Sequence, residues 1–207
     1  MRILPFLLVP LLASAQQTIS IPASDGVPVA ADQYGRGDRG VVLAHGGRFT
    51  KESWAPQARQ LVDAGFRVVS IEYRKDESKR VLDVLAAIHY LRSAGARQVS
   101  AIGGSMGGDY VVEAAEAEPA AMDRLVLLAS GMYTAITKMK GPKLFIVAKD
   151  DTEGPELRLP RIRERFDQAP PPKQLIVLDG DAHAQFLFAT PQGERVMREI
   201  LRFLSAR

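Results

Sequence analysis

The sequence predicts an α/β fold: a mostly parallel eight-stranded sheet with helices on both faces. Two observations carry this. Short apolar runs alternate with amphipathic stretches along almost the whole chain, the pattern of strand–helix–strand units. Runs such as Val41-Val42-Leu43-Ala44 are also apolar without alternation, as strands buried on both faces must be.

Taken in order, Thr18–Pro22 and Val27–Tyr34 flank the turn signal Ser24-Asp25-Gly26 and read as an antiparallel hairpin. Val41–Ala44 is the third strand. Ser53–Ala64 has helical spacing, with Ser53 as the expected N-cap and Gly65 just past the end. Arg67–Tyr73 is the next strand. From Asp76 to Ala94, Val81, Val84, Leu85, Ile88 and Leu91 fall on one helical face, and Gly95 ends the run. Gln98–Ile102 leads into the glycine-rich stretch Gly103–Gly108, after which helix resumes to about Ala117. Arg124–Ala129, Lys143–Ala148 and Gln174–Leu178 complete the strands. Helices are expected near Glu156–Phe166 and Gln192–Leu204, and Ala169-Pro170-Pro171-Pro172 is a stiff loop whose prolines cannot donate to a ladder. Ser130–Gly141 is too short to hold a separate lid domain.

Composition narrows the function. The chain has 207 residues, suited to one domain, and its net charge of +3 is spread rather than blocked, which argues against a nucleic-acid face. With no cysteine, a disulfide framework, a thiol nucleophile, an Fe–S site and thiolate zinc ligands are excluded. Met1-Arg2, the apolar run Ile3–Leu12 and the small residues Ala13-Ser14-Ala15 fit a cleaved signal peptide over residues 1–15. The apolar run is shorter than the roughly 20 residues a membrane span needs. The expectation is an exported domain of residues 16–207, periplasmic or extracellular, with no stable membrane insertion after cleavage.

The sharpest motif is Gly103-Gly104-Ser105-Met106-Gly107, a G-x-S-x-G between a strand and a helix. A serine on so tight a turn has a strained backbone, and side chains two positions to either side would collide. A phosphate loop fits worse, because no Lys-Ser/Thr follows the glycines. A serine nucleophile needs a base. Of three histidines, His89 lies mid-helix and His45 ends a strand in the wrong chain order, where it suits bracing a loop. That leaves His183, in a loop just after the last strand. The carboxylate that orients the base is expected from Asp150-Asp151, directly after the strand Lys143–Ala148. An oxyanion needs two backbone N–H donors: Met106, after the serine, and Gly47 in the loop His45-Gly46-Gly47-Arg48.

On these residues the chain resembles the α/β-hydrolase superfamily over nearly its whole mature length, in a compact lidless form similar to dienelactone-hydrolase-like and small esterase members. Members typically carry Gly three residues before the acid. Ala148 stands there, and that spacing selects Asp151 over Asp150. Dienelactone hydrolases proper use a cysteine, so Ser105 argues against that activity. The resemblance implies a serine hydrolase that works through an acyl-enzyme on Ser105, with Asp151 and His183, requiring no metal or organic cofactor; lacking a lid, it is expected to have an open, shallow site and to cleave a small or soluble carboxylic ester. A peptidase or amidase with the same residues is the first rival, and a non-catalytic binding protein on this fold the second.

Weaker signals have plainer readings. Arg36-Gly37-Asp38 reads as a turn, and Arg161, Arg163 and Arg165 as a solvated face. Asp179, Asp181 and His183 lack a further well-spaced histidine for a metal site. Phe49, Trp54, Met132, Tyr133, Phe186 and Phe188 flank the proposed loops, where some are candidates for an acyl pocket.

Overall fold

The computed structural model describes residues 16–131 and 133–206. The expected signal peptide and Met132 lie outside these residues. Ten strands and five α-helices are formed among them: β1 (Gln17–Pro22), β2 (Pro28–Tyr34), β3 (Arg39–Ala44), α1 (Ala55–Asp63), β4 (Phe66–Ile71), α2 (Arg80–Ser93), β5 (Gln98–Gly104), α3 (Met106–Ala117), β6 (Arg124–Leu128), β7 (Lys143–Ala148), β8 (Thr152–Glu153), β9 (Glu156–Leu157), α4 (Arg158–Gln168), β10 (Lys173–Leu178) and α5 (Gly193–Ser205).

Eight strands form one sheet in the order β1-β2-β4-β3-β5-β6-β7-β10. The β1–β2 hairpin is antiparallel, β2 meets β4 antiparallel, and every pairing from β4 across to β10 is parallel. Parallel strands need crossovers; α1, α2, α3 and α4 provide four of them, and the non-helical stretch between β6 and β7 makes the other. Along β3, Val42 and Ala44 face one layer while Val41 and Leu43 face the other. Phe145 and Val147 of β7 likewise oppose Leu144, Ile146 and Ala148. The first layer packs under α2, α3 and α4; the second packs under α1 and α5. The unbroken apolar runs thus follow from burial on both faces. No separate lid domain interrupts the sheet: among the described residues, the stretch from β6 to β7 holds no helix.

Three local expectations need correction. Ser53 does not cap α1. A 3-10 turn over Lys51–Trp54 comes first, the cap position is Trp54, and the Ser53 hydroxyl donates instead to the Thr50 carbonyl at 2.6 Å. The stretch from Asp76 opens as a separate 3-10 turn, Glu77–Lys79, before α2; Asp76 accepts the Ser78 N–H at 3.1 Å. The fourth helix starts at Arg158 rather than Glu156. Gly154, at φ +60°, folds Thr152–Leu157 into the two-stranded ribbon β8–β9, which takes up the first two residues of the expected helix.

Candidate active site

The sheet's carboxyl edge gathers residues from three strand ends. β5 delivers Ser105, whose φ of 50° and ψ of −125° lie in a region that costs a non-glycine residue about 1–3 kcal/mol. The ladder continues through it, since its N–H bonds the Leu128 carbonyl at 2.9 Å. The glycines around it are steric requirements. A Cβ on Gly103 would lie 2.6 Å from the Gly108 nitrogen, and one on Gly107 would lie 2.6 Å from the Ala44 carbonyl carbon. Gly104, the variable position, would meet nothing nearer than 3.4 Å.

β7 delivers the acid. Asp151 is 1% exposed, and its Oδ2 lies 2.8 Å from His183 Nδ1. Asp150 points to the surface and is tied there by its N–H, which bonds the Gly180 carbonyl at 3.0 Å. β10 delivers His183 through a turn at Gly180 (φ +94°), with His183 as the cap of a 3-10 turn over Ala184–Ala189. Its Nε2 stands 2.7 Å from Ser105 Oγ. A carboxylate only accepts, so Nδ1 carries the ring hydrogen and Nε2 is left to accept the serine O–H. The tautomer is set by the buried acid, and the chain of hydrogen bonds can move a proton off Ser105.

The loop after β3 closes the other side. A Cβ on Gly46 would sit 3.5 Å from that of Ser105, so the loop packs directly on the serine. Gly47 is exposed beside it, and Met106 opens α3, where the first N–H groups have no carbonyl a turn earlier to bond. His45 is 4% exposed and braces this loop, as expected, through Nδ1 to the Gly46 carbonyl at 2.8 Å. Its ring meets Tyr73 edge-on at 5.0 Å. Burial in this packing pushes the Tyr73 phenol well above its ordinary value. His89 is on the exposed side of α2, 2.8 Å from Glu118, and takes no part.

Ser105 sits between two clefts. One, of about 460 Å³, is walled by Gly47, Phe49, His183 and Phe186. The other, of about 370 Å³, is walled by Tyr110, Glu113, Tyr133 and Arg158. Both are within the size range of small-molecule sites. Among the flanking aromatics, Phe49 and Phe186 pack at 4.9 Å in the first cleft, and Tyr133 enters the second. Trp54 is fully buried and packs edge-on against Phe188, in the core. Asp179, considered above with Asp181 for a metal, pairs with Lys149 at 3.1 Å.

Two further residues belong to the site. Arg158 places Nε 3.4 Å from the other carboxylate oxygen of Asp151, Oδ1, and its own N–H bonds the Asp151 carbonyl at 2.9 Å, which holds the acid's loop from behind. Gln185 reaches from the His183 turn to the loop after β3, where Oε1 accepts the Gly46 N–H at 2.8 Å. Arg158 lies at a helix start that the sequence places two residues early. Gln185, two residues past the histidine, is a signal only if the turn there is known.

A family model described as alpha/beta hydrolase family matches residues 41–203. The chain belongs to the alpha/beta hydrolase family. Solved structures agree with this alpha/beta hydrolase in fold. An esterase of Pyrococcus furiosus is 16% identical with a TM-score of 0.78, over 99% of each chain. A dienelactone hydrolase of Anabaena variabilis is 17% identical with a TM-score of 0.75, over 92% of this chain and 97% of that one. An esterase of Exiguobacterium antarcticum is 14% identical with a TM-score of 0.76, over 92% of this hydrolase and 100% of that chain. At such identities the likeness is one of fold. No match was found among curated proteins compared by sequence.

Proposed function

We propose that this alpha/beta hydrolase is an exported serine esterase that cleaves small or soluble carboxylic esters through an acyl-enzyme on Ser105. The observation that carries the proposal is the unbroken line Ser105 Oγ–His183–Asp151, at 2.7 and 2.8 Å, on the floor of an open cleft. His183 Nε2 takes the serine proton as Oγ attacks the carbonyl carbon, and Asp151 stabilises the imidazolium that forms. The Met106 and Gly47 N–H groups hold the oxyanion of the tetrahedral intermediate. Collapse breaks the ester C–O bond, and the departing alcohol takes the proton from His183. Water then attacks the acyl-enzyme with His183 again as base, releasing the carboxylic acid and Ser105.

The two clefts flank Ser105 and suit an acyl group on one side and an alcohol on the other. Their modest volumes, and the absence among the described residues of a helix between β6 and β7 to cover them, favour small substrates over long lipid chains. The esterases among the fold relatives support the ester as the scissile bond.

A fluorophosphonate probe is expected to modify Ser105, as read by mass mapping, and His183→Ala is expected to lose that labelling. Turnover of aryl acetates and butyrates should exceed that of emulsified long-chain triglycerides; the reverse order would overturn the size preference. Faster turnover of aminoacyl arylamides than of aryl esters would make the enzyme an amidase. Asp151→Asn is expected to lower kcat by roughly 10^3- to 10^4-fold, because the imidazole loses its partner, while Asp150→Asn stays within about twofold. Equal losses at the two positions would remove Asp151 from its role. Export predicts a mature N-terminus near Gln16, and finding residues 1–15 on the purified exported protein would contradict it.

A further inference from the structure

We infer that Gln185 is a positioning residue for the oxyanion site: it holds the Gly46 N–H and so makes the next N–H, that of Gly47, the one the loop presents to Ser105. The inference rests on the acyl-transfer reading above. Gln185 is 7% exposed. Its Oε1 accepts the Gly46 N–H at 2.8 Å, its Nε2 donates to Ser53 Oγ at 2.8 Å, and Ser53 in turn donates to the Thr50 carbonyl at 2.6 Å. The amide orientation is forced. A backbone N–H can meet only the amide oxygen, so Nε2 must donate, and the serine hydroxyl accepts it while passing its own hydrogen on.

The consequence lies in the two peptide planes that meet at the Gly46 Cα. The plane before it is held through the Gly46 N–H by Gln185. The plane after it is held through the Gly46 carbonyl, which accepts from His45 Nδ1 at 2.8 Å and from the Phe49 N–H at 3.0 Å. A trans peptide sets its N–H opposite its carbonyl, so fixing the Gly46 oxygen aims the Gly47 N–H the other way. Among the described residues that N–H has no protein acceptor, and Gly47 lines the same cleft as Ser105. Glycine has the widest backbone freedom of any residue, so without Gln185 the plane of the Gly47 N–H keeps its carbonyl bonds but pivots on a loose neighbour, and the donor is aimed less firmly. Gln185 stands two residues beyond His183 and packs beside Gly104. The side chain therefore registers the base's loop against the oxyanion loop, 139 residues away in sequence.

The test compares Gln185→Met and Gln185→Glu with wild type on a soluble aryl ester. Loss of a complete oxyanion donor costs roughly 10^2- to 10^3-fold, so a misdirected one should cost about 10- to 100-fold in kcat for Gln185→Met. KM should change by less than about threefold, and the acid limb of the kcat/KM pH profile should not move. Affinity for a trifluoromethyl ketone, which forms a hemiketal oxyanion on serine, should fall in step with kcat/KM. Gln185→Glu keeps an oxygen for the Gly46 N–H and, assayed on the pH plateau, should stay within about fivefold of wild type. A wild-type kcat in Gln185→Met, a loss confined to KM, or a moved acid limb would overturn the inference. If Gln185→Met does not fold, Ser53→Ala decides. It removes only the anchor of the amide and should lower kcat roughly two- to fivefold at unchanged KM; an unchanged kcat there also overturns it. Ester turnover surviving in Ser105→Ala would defeat the underlying reading instead, whatever Gln185 does.

Discussion

Ser105→Ala is expected to lower kcat/KM for an aryl acetate by about 10^5-fold, with folding little changed. In serine hydrolases the nucleophile and base act as a unit, and losing either removes nearly all that the pair supplies. His183→Ala should therefore cost about as much, and the double substitution little more. A loss below about 100-fold at Ser105 would mean that another group attacks the substrate. The same position carries a stability cost that separates it from an ordinary surface serine. Alanine keeps the strained φ of 50°, whereas glycine adopts it freely. Ser105→Gly should be inactive yet more stable than Ser105→Ala by about 1–2 kcal/mol in urea unfolding. Equal stabilities would show that the turn stores no strain there.

Gly107→Ala is expected to destabilise the fold by about 3 kcal/mol or more. Gly107 lies in the first turn of α3, where helix propensity alone favours alanine by about 1 kcal/mol, so two effects of opposite sign compete. Packing decides the sign. The added Cβ would lie 2.6 Å from the Ala44 carbonyl carbon, with the carbonyl oxygens of Ala44 and His45 in the same space. These are backbone atoms at the end of a central strand and cannot swing aside as a flexible side chain does. Relief would require α3 to move off β3, carrying Met106 and Ser105 with it, so activity should fall together with stability. Gly104→Ala is the matched control, within about 1 kcal/mol of wild type, because its nearest neighbour is the Gln185 side chain at 3.4 Å. A urea midpoint for Gly107→Ala at or above wild type would show that the close approach of α3 to β3 is not needed.

The architecture was legible in the sequence because its signals are local. Apolar runs such as Val41–Ala44 and Leu144–Ala148 announce strands buried on both faces, and the 3.6-residue stripe from Val84 to Leu91 announces α2. The turn at Gly103–Gly107 was legible for the same reason, since the steric demand is written into residues two apart. The chain order of Ser105, Asp151 and His183 could be read along the sequence, and the structure places their side chains within hydrogen-bond distance. Tertiary structure decided what depends on direction. Asp150 and Asp151 are chemically identical neighbours; the family spacing pointed to Asp151, and the turn after β7 is what sends it inward to 1% exposure and Asp150 to solvent. Ser53 had the chemistry of a helix cap but became a link in a relay from Gln185, because a 3-10 turn starts ahead of the helix. Gly46 and Gly47 are alike in sequence. What distinguishes them is a side chain from the far end of the chain, which takes the Gly46 N–H and not that of Gly47. Hydrophobic period sets which elements form, because burial depends on spacing along the chain. Hydrogen bonds between distant loops set which acid meets His183 and which loop N–H is left without a protein acceptor, because their partners meet only after the sheet is assembled.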